Sequence, residues 1–163
     1  MERAYFAGGC FWCITPTFRM LDGVREVVSG YAGGDEVNPR YEDVKLQRTG
    51  HRETICIDYD PLAVSYETLL QIFLDSVDPF DEGGQFIDRG FSYTLAVYYL
   101  SEEEKQIAQR LLNALERQMG RKPFVAVEPF KNFYAAEEYH QNYDLKNPEA
   151  FRRELIESGR VKP

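Results

Sequence analysis

The residues best suited to chemistry lie in one short segment near the start of the chain, Gly8-Gly9-Cys10-Phe11-Trp12-Cys13. The two glycines permit a sharp turn from a strand into a helix. A cysteine at the start of that helix would face the positive end of the helix dipole, an environment that favours the reactive thiolate. We therefore predict that Cys10 is a redox nucleophile, with Phe11 and Trp12 as an apolar wall for a small apolar group.

The spacing of Cys10 and Cys13 has other interpretations. Cysteines three residues apart share one helix face and can be joined by a disulfide with little backbone movement. Two small buried residues that only pack the helix would have the same spacing. A structural zinc site needs four ligands, and the further candidates are Cys56, His51 and His140, without a second Cys-x-x-Cys. We favour the redox pair and predict neither a metal nor a cofactor.

A second group of candidates lies in or beside two polar segments. Glu53 ends the run Gly50-His51-Arg52-Glu53 at the start of a half-buried strand, where desolvation would raise its pKa and let it donate a proton near neutral pH. A solvated glutamate at the strand end is the alternative. Tyr41, Asp88 and Tyr93 are each equally compatible with a surface turn or a core position. Taken alone, His140 is most simply a structural histidine, and Cys56 an inert packing residue.

Hydrophobic periodicity and helix caps predict the elements that position these residues. The predicted strands are residues 3–7, 24–31, 53–59, 93–100 and 124–128, and the predicted helices are 11–21, 65–77, 101–119 and a short one from about 148. Residues 35–51 and 78–90 are predicted to be long loops. The inner face of the third helix is predicted to be Ile107, Leu111, Leu112, Leu115 and Met119. This order predicts an α+β fold, a ferredoxin-like split βαβ two-layer sandwich with a mostly antiparallel sheet and an extended C-terminal segment.

Length and composition limit the class of protein. A chain of 163 residues predicts one domain, 1–163. The net charge of −8 argues against a nucleic-acid binder, and no apolar run suggests a membrane span or a signal peptide. Three cysteines, an odd number, do not suit a secreted disulfide framework. We therefore expect a cytoplasmic protein, and a monomer.

Seven ordered motifs make the chain resemble a known family. They are Gly9-Cys10-Phe11-Trp12, Gly30-Tyr31-Ala32-Gly33-Gly34, Tyr41-Glu42-x-Val44, Thr49-Gly50-His51-x-Glu53, Tyr59-Asp60-Pro61, Asp88-Arg89-Gly90-x-x-Tyr93 and Ala136-Glu137-Glu138-Tyr139-His140-Gln141. From about Tyr5 to Tyr143 the sequence is similar to the A-type peptide methionine sulfoxide reductases. The resemblance implies reduction of methionine S-sulfoxide, free or in proteins, to methionine, and hence repair of oxidised proteins.

The resemblance also implies a role for each motif residue. Cys10 matches the nucleophile that attacks the sulfoxide sulfur, and Glu53 matches the acid that protonates the oxygen. Tyr41 and Tyr93 match the phenols that hydrogen-bond the oxygen. Phe11 and Trp12 match the aromatic pair that holds the methyl group. Asp88 and His140 match polar residues that line or support the site.

The chain departs from the family pattern at two places. The family usually has glycine where this chain has Cys13, and many members keep resolving cysteines near the C-terminus, whereas no cysteine follows Cys56 here. We predict that Cys13 resolves a Cys10 sulfenic acid and that thioredoxin or a similar dithiol donor reduces the disulfide. Resolution by Cys56, or direct attack by an external thiol, stays open. The second departure is Ser92-Tyr93-Thr94-Leu95 with the preceding segment 82–86, which bears on the substrate range.

Two other functions compete with this interpretation. A dithiol–disulfide oxidoreductase would use Cys10 and Cys13 on protein disulfides, with no need for a sulfoxide pocket or an acid at Glu53. A zinc-binding module is a third class, which metal analysis would detect.

Overall fold

A computed structural model describes residues 1–160, so the last three residues of the predicted domain, 161–163, lie outside the described residues. The strands are β1 (Glu2–Gly8), β2 (Val24–Ala32), β3 (Arg52–Tyr59), β4 (Gly84–Gln85), β5 (Asp88–Arg89), β6 (Leu95–Tyr99), β7 (Val125–Pro129) and β8 (Phe133–Ala135). The helices are α1 (Phe11–Arg19), α2 (Tyr41–Lys45), α3 (Tyr66–Ser76), α4 (Glu102–Met119), α5 (Tyr143–Lys146) and α6 (Pro148–Glu157). Short 3-10 turns cover Phe91–Tyr93 and Glu138–His140.

The main sheet has six strands in the order β7-β6-β1-β3-β2-β8. All neighbours in it are antiparallel except β6 and β7, which are parallel. The predicted α+β class with a mostly antiparallel sheet is therefore confirmed. Strands β4 and β5 form a separate two-stranded antiparallel ribbon. In the sequence this ribbon lies between β3 and β6. Of the helices in residues 1–160, none has both the length and the apolar character needed to cross a membrane.

The central strand β3 has both of its faces covered. On one face Ile55 and Ile57 belong to the main core, which also takes apolar side chains from α1 and α3. On the other face Cys56 packs in a second cluster, against which Phe130 and Phe133 of the C-terminal segment lie. Every residue of β3 is consequently buried. The prediction of a half-buried strand was wrong, because the alternation in the sequence did not show that this later segment covers the second face.

Five local predictions also need correction. The predicted loop 35–51 contains α2, and the predicted 78–90 loop contains the β4–β5 ribbon. The strand predicted for 93–100 begins at Leu95, because Tyr93 closes a 3-10 turn in which its N–H donates to the carbonyl of Gly90 at 3.0 Å. Helix α1 ends at Arg19, two residues before the predicted end.

The inner face predicted for the third helix, which is α4, was wrong at Met119, because this side chain is 49% exposed. Helix α4 lies along the β6–β7 edge, and its buried contact with the sheet centres on Ala108.

Gly30 marks a close approach between strands and provides a stability test. A Cβ at this position of β2 would lie 2.4 Å from the Phe133 ring and 2.5 Å from the carbonyl oxygen of Tyr134. We expect Gly30→Ala to lower the free energy of unfolding by about 1–3 kcal/mol, measured by urea denaturation, because β8 must shift. Gly50→Ala is the matched control, since its nearest atom would be 3.5 Å away. Equal unfolding midpoints for Gly30→Ala and the wild type would contradict this packing.

Candidate active site

Cys10 lies at the predicted junction between a strand and a helix. Strand β1 ends at Gly8, and Gly9 adopts a φ of +82° that L side chains rarely adopt. A side chain on Gly9 would also meet Gln85, whose Cβ is 2.8 Å from the position of the missing atom. This turn places Cys10 at the N-cap of α1, where it is only 7% exposed.

The carboxyl group of Glu53 is buried directly against the start of the same helix. The backbone N–H of Phe11 donates to Glu53 Oε1 at 3.2 Å, and the residue is 1% exposed. Burial raises the pKa of Glu53 to about 8; the Phe11 N–H opposes the rise and nearby Asp88 adds to it. At neutral pH the carboxyl therefore keeps its proton, which is the state that a general acid needs.

The two thiols have unequal proton affinities. Contact with the Cys13 thiol, burial, and the charges of Glu53 and Asp88 together raise the pKa of Cys10 well above its usual value. Contact with Cys10 lowers the pKa of Cys13, and the charge of Arg160 lowers it further. The start of the helix was expected to favour a Cys10 thiolate, whereas in the reduced protein the Cys13 contact, burial and the charges of Glu53 and Asp88 favour the protonated thiol.

One small cavity of about 130 Å³ collects most of the predicted residues. It is lined by Cys10, Phe11, Trp12, Tyr41, Lys45, Glu53, Asp88, Tyr93 and Glu154. Burial raises the pKa of both phenols, so each hydroxyl keeps its proton and can donate a hydrogen bond. Burial also raises the pKa of Asp88. The cavity therefore combines a thiol, an acid, two phenols and an aromatic wall, as the sequence predicted.

Two polar side chains join the loops that carry the phenols. Tyr41 begins α2, and Tyr93 lies on the 3-10 turn. Gln47 follows α2; its Nε2 donates to Ser92 Oγ at 2.8 Å, and the Ser92 N–H donates back to Gln47 Oε1 at 2.9 Å. This reciprocal pair holds the turn with Tyr93 against the loop after α2. Ser92, one of the unusual residues of this chain, thus helps to position a predicted phenol.

His140 supports the cavity from behind and does not line it. The indole N–H of Trp12 donates to His140 Nδ1 at 3.1 Å, and the ring centroids of His140 and Tyr41 are 4.3 Å apart. Burial lowers the pKa of His140, so the imidazole is neutral and carries its proton on Nε2. The ring of Tyr143 also stacks on the ring of Trp12, with centroids 3.8 Å apart and an angle of 9° between the ring planes. The indole is thereby fixed between two aromatic rings.

Several site residues were not predicted. Lys45 lies one helical turn after Tyr41, a spacing that would have indicated it had α2 been predicted. Glu137 accepts from the Tyr31 hydroxyl at 2.8 Å and from the Tyr41 N–H at 3.0 Å, so it fixes the start of α2. Glu154 reaches the cavity from α6, and no local pattern in the sequence indicates this contact.

The third cysteine is separated from the other two. Cys56 and Glu53 are three residues apart on β3, so their side chains point to opposite faces of the sheet. Cys56 packs with Tyr5 and Tyr98 on the face away from α1. All three cysteines are free thiols. Within residues 1–160, no three His, Cys, Asp or Glu side chains are grouped so that they could hold a metal ion.

The raised pKa of Glu53 predicts a specific dependence of stability on pH. From its ordinary value of 4.5 up to about 8, the folded protein holds a proton that the unfolded chain has released. The free energy of unfolding should therefore fall as pH rises through this window, by up to about 1.4 kcal/mol per pH unit. We expect Glu53→Gln to remove this slope in urea denaturation at a series of pH values, and exposed Glu149→Gln to keep it. Parallel curves for the wild type and Glu53→Gln would contradict a buried neutral acid.

Comparison with known proteins identifies the family of the chain. A family model described as peptide methionine sulfoxide reductase matches residues 2–162. A peptide methionine sulfoxide reductase MsrA of Bacillus velezensis is 46% identical over 161 residues, 98% of this chain and 91% of the relative. The structure resembles reduced Mxr1 of Saccharomyces cerevisiae, with a TM-score of 0.86 and 29% identity over 91% of this chain and 86% of that one. Mxr1 in complex with Trx2 resembles it in fold, with a TM-score of 0.58 and 22% identity over 87% and 84%. The chain belongs to the peptide methionine sulfoxide reductase family.

Proposed function

We propose that this chain reduces methionine S-sulfoxide, free or in proteins, with Cys10 as nucleophile and Glu53 as acid. As a member of its family the chain is a thiol-dependent methionine sulfoxide reductase. One observation carries the assignment of residues: a buried thiol and a buried carboxyl that keeps its proton near neutral pH line the same small cavity. A protein disulfide reductase has no need of such an acid.

The chemistry of a sulfoxide explains why these groups occur together. The oxygen is a poor leaving group, so the sulfur becomes open to attack only when the oxygen is protonated or hydrogen-bonded. Glu53 supplies the proton, and the hydroxyls of Tyr41 and Tyr93 donate hydrogen bonds. Cys10 attacks the sulfur and a sulfur–sulfur bond forms, while the sulfur–oxygen bond of the sulfoxide breaks and the oxygen leaves as water with the thiol proton and the proton from Glu53. A water molecule then adds to the Cys10 sulfur, the sulfur–sulfur bond breaks, methionine leaves, and Cys10 ends as a sulfenic acid. The proton that this water releases restores Glu53, so the carboxyl group is unchanged over the step.

We infer that substrate binding precedes the activation of Cys10. In the empty cavity the Cys10 thiol keeps its proton, since its pKa is raised. The Cys13 sulfur, whose pKa is lowered, contacts the Cys10 thiol and can share that proton. A thiol that remains protonated until the sulfoxide enters is also protected from unproductive oxidation, because the thiolate is the reactive form.

The shape of the cavity supports selection of one epimer. The methyl group would lie against Phe11 and Trp12, the oxygen would face Glu53 and the phenols, and the rest of the side chain would point to the opening. A chiral sulfoxide held at three points presents its sulfur to Cys10 in one configuration only. One enzyme per epimer is the general rule for this reaction.

The position of the cysteines supports Cys13 as the resolving thiol. Cys13 lies one turn along α1 from Cys10, and its N–H donates to the Cys10 carbonyl at 3.1 Å. Cys56 lies across the sheet, which speaks against it. A Cys10–Cys13 disulfide would then be reduced by thioredoxin or a similar dithiol. Yeast Mxr1, a fold relative, has been solved with Trx2, which is the kind of partner that we propose here.

Finer features of the protein belong to the same proposal. The order β6-β1-β3-β2, antiparallel throughout, supports a ferredoxin-like core. The family match over 2–162 supports one domain over residues 1–163. We also propose a monomer without a cofactor. Thiols that must cycle through a dithiol donor suit a reducing compartment, which supports the cytoplasm.

The proposed reaction is tested by a single turnover without reductant. We expect one methionine per protein and the loss of two thiols with a peptide that contains methionine S-sulfoxide, and neither with the R epimer. Cys10→Ser should form no methionine, because a hydroxyl is far less nucleophilic at neutral pH. Cys56→Ser is the matched control and should behave as the wild type. Methionine formation by Cys10→Ser, or equal use of both epimers, would refute the proposal.

Cys13→Ser separates the two halves of the cycle. We expect it to form one methionine per protein and then to stop when thioredoxin, thioredoxin reductase and NADPH are the only reductants, because no internal disulfide forms. NADPH consumption and mass spectrometry of the trapped protein provide the measurement. Continued turnover at the wild-type rate would show that an external thiol attacks Cys10 directly.

A further inference from the structure

The end of α6 turns the chain back toward the active site. Gly159 adopts a φ of +84°, and the N–H of Arg160 donates to the Leu155 carbonyl at 3.1 Å. The Ser158 hydroxyl, which also bonds the Leu155 carbonyl at 3.0 Å, accepts from the Arg160 N–H at 3.4 Å. This is a left-handed helix end of the Schellman type, which fixes the direction of the following residue. The last described residue is therefore held by its backbone.

The guanidinium of Arg160 lies against Phe86 and beside the turn that precedes Cys10. Its Cζ is 4.4 Å from the centre of the Phe86 ring. Its Nη2 would lie 3.4 Å from a Cβ atom placed on Gly9, the residue that precedes Cys10. Phe86 lies in the 82–86 segment that departs from the family pattern. The unusual loop and the C-terminal turn thus contact each other at this site.

The same guanidinium is short of polar partners. Its Nε and Nη2 atoms are buried, and neither has a hydrogen-bond partner among residues 1–160. Two buried nitrogens of a half-buried cation that lack partners cost free energy, which stacking on one aromatic ring offsets only in part. The nearby groups that can carry negative charge are Cys13 and Asp88, both of which feel the charge of Arg160. A thiolate at Cys13 would supply the missing charge.

We propose that Arg160 is a positioning residue for the resolving step, where its guanidinium holds Cys13 as a thiolate beside the Cys10 sulfenic acid. This inference rests on the proposed function. The Cys13 sulfur attacks the Cys10 sulfur, a sulfur–sulfur bond forms and the sulfur–oxygen bond of the sulfenic acid breaks. Hydroxide leaves with the proton that Cys13 has lost, as water; Cys13 is oxidised and Cys10 is reduced.

Arg160 matters at the resolving step because the contact with the Cys10 thiol, which also favours the Cys13 thiolate, is lost at that step. In the reduced protein the Cys10 thiol is the main group that favours a Cys13 thiolate, and it is consumed when Cys10 becomes a sulfenic acid. Asp88 on β5 and Glu154 on α6 both oppose the thiolate. The charge of Arg160 favours the Cys13 thiolate against these two carboxyl groups.

The test measures disulfide formation after one equivalent of the S-sulfoxide peptide, by acid quench, alkylation and mass spectrometry, over a range of pH. We expect Arg160→Gln to slow this step at neutral pH by roughly 3–10-fold, the effect of about half to one pKa unit, and to move its pH profile upward. Arg160→Lys should restore most of the rate. Arg152→Gln, an exposed position on α6, is the matched control and should follow the wild type.

Each other outcome has a definite meaning. An unshifted pH profile for Arg160→Gln, or equal slowing at every pH, would overturn the inference, because a merely structural effect does not move the profile. Thermal melts check that α6 stays folded in each variant. Methionine formation without a Cys10–Cys13 disulfide in the wild type would overturn the role of Arg160 and leave the reductase. No methionine at all would overturn both.

Discussion

The arrangement of the active site depends on burial of one carboxyl group under the first turn of one helix. The Phe11 N–H bonds Glu53 at 3.2 Å, and this contact joins the start of α1 to the start of β3. It sets the position of Cys10, the residue before Phe11, relative to the acid. Because the carboxyl is excluded from water, it keeps its proton near neutral pH. The geometry and the protonation state of the site therefore have the same physical origin.

The main sheet separates two environments. The helices and the cavity that Cys10 and Glu53 line are on one side, and an aromatic cluster is on the other. Cys56 lies in that cluster, whereas Cys10 and Cys13 lie together on α1. The sheet thus separates the Cys56 thiol from the other two, and only Cys10 and Cys13 share a local environment. This division limits which disulfide can form without unfolding.

Much of the support for the site comes from the last third of the chain. Glu137 fixes the start of α2, His140 and Tyr143 hold Trp12, and Arg160 approaches Cys13. None of these residues belongs to the central sheet. The core of the fold supplies Cys10 and Glu53, and the C-terminal segment packs around them and covers the second face of the sheet.

Some predictions from the sequence needed no tertiary information. The glycine turn before Cys10 and the strand that contains Glu53 are local features, and the structure has both of them. The short helix α2 was missed because five residues carry too little periodicity. The strand start at Tyr93 was misplaced because the turn is fixed by hydrogen bonds that the Tyr93 N–H donates to the Gly90 carbonyl and the Ser92 N–H donates to Gln47 Oε1.

What the sequence by itself determined was which residue types can carry the reaction and the order of the elements that hold them. The tertiary structure alone decided their proton affinities and their neighbours. A pKa depends on how deeply a group is buried and on charges nearby in space, and those charges come from residues far apart in the chain. The helix position of Cys10 therefore suggested a thiolate, whereas burial beside Cys13, Glu53 and Asp88 makes it a protonated thiol.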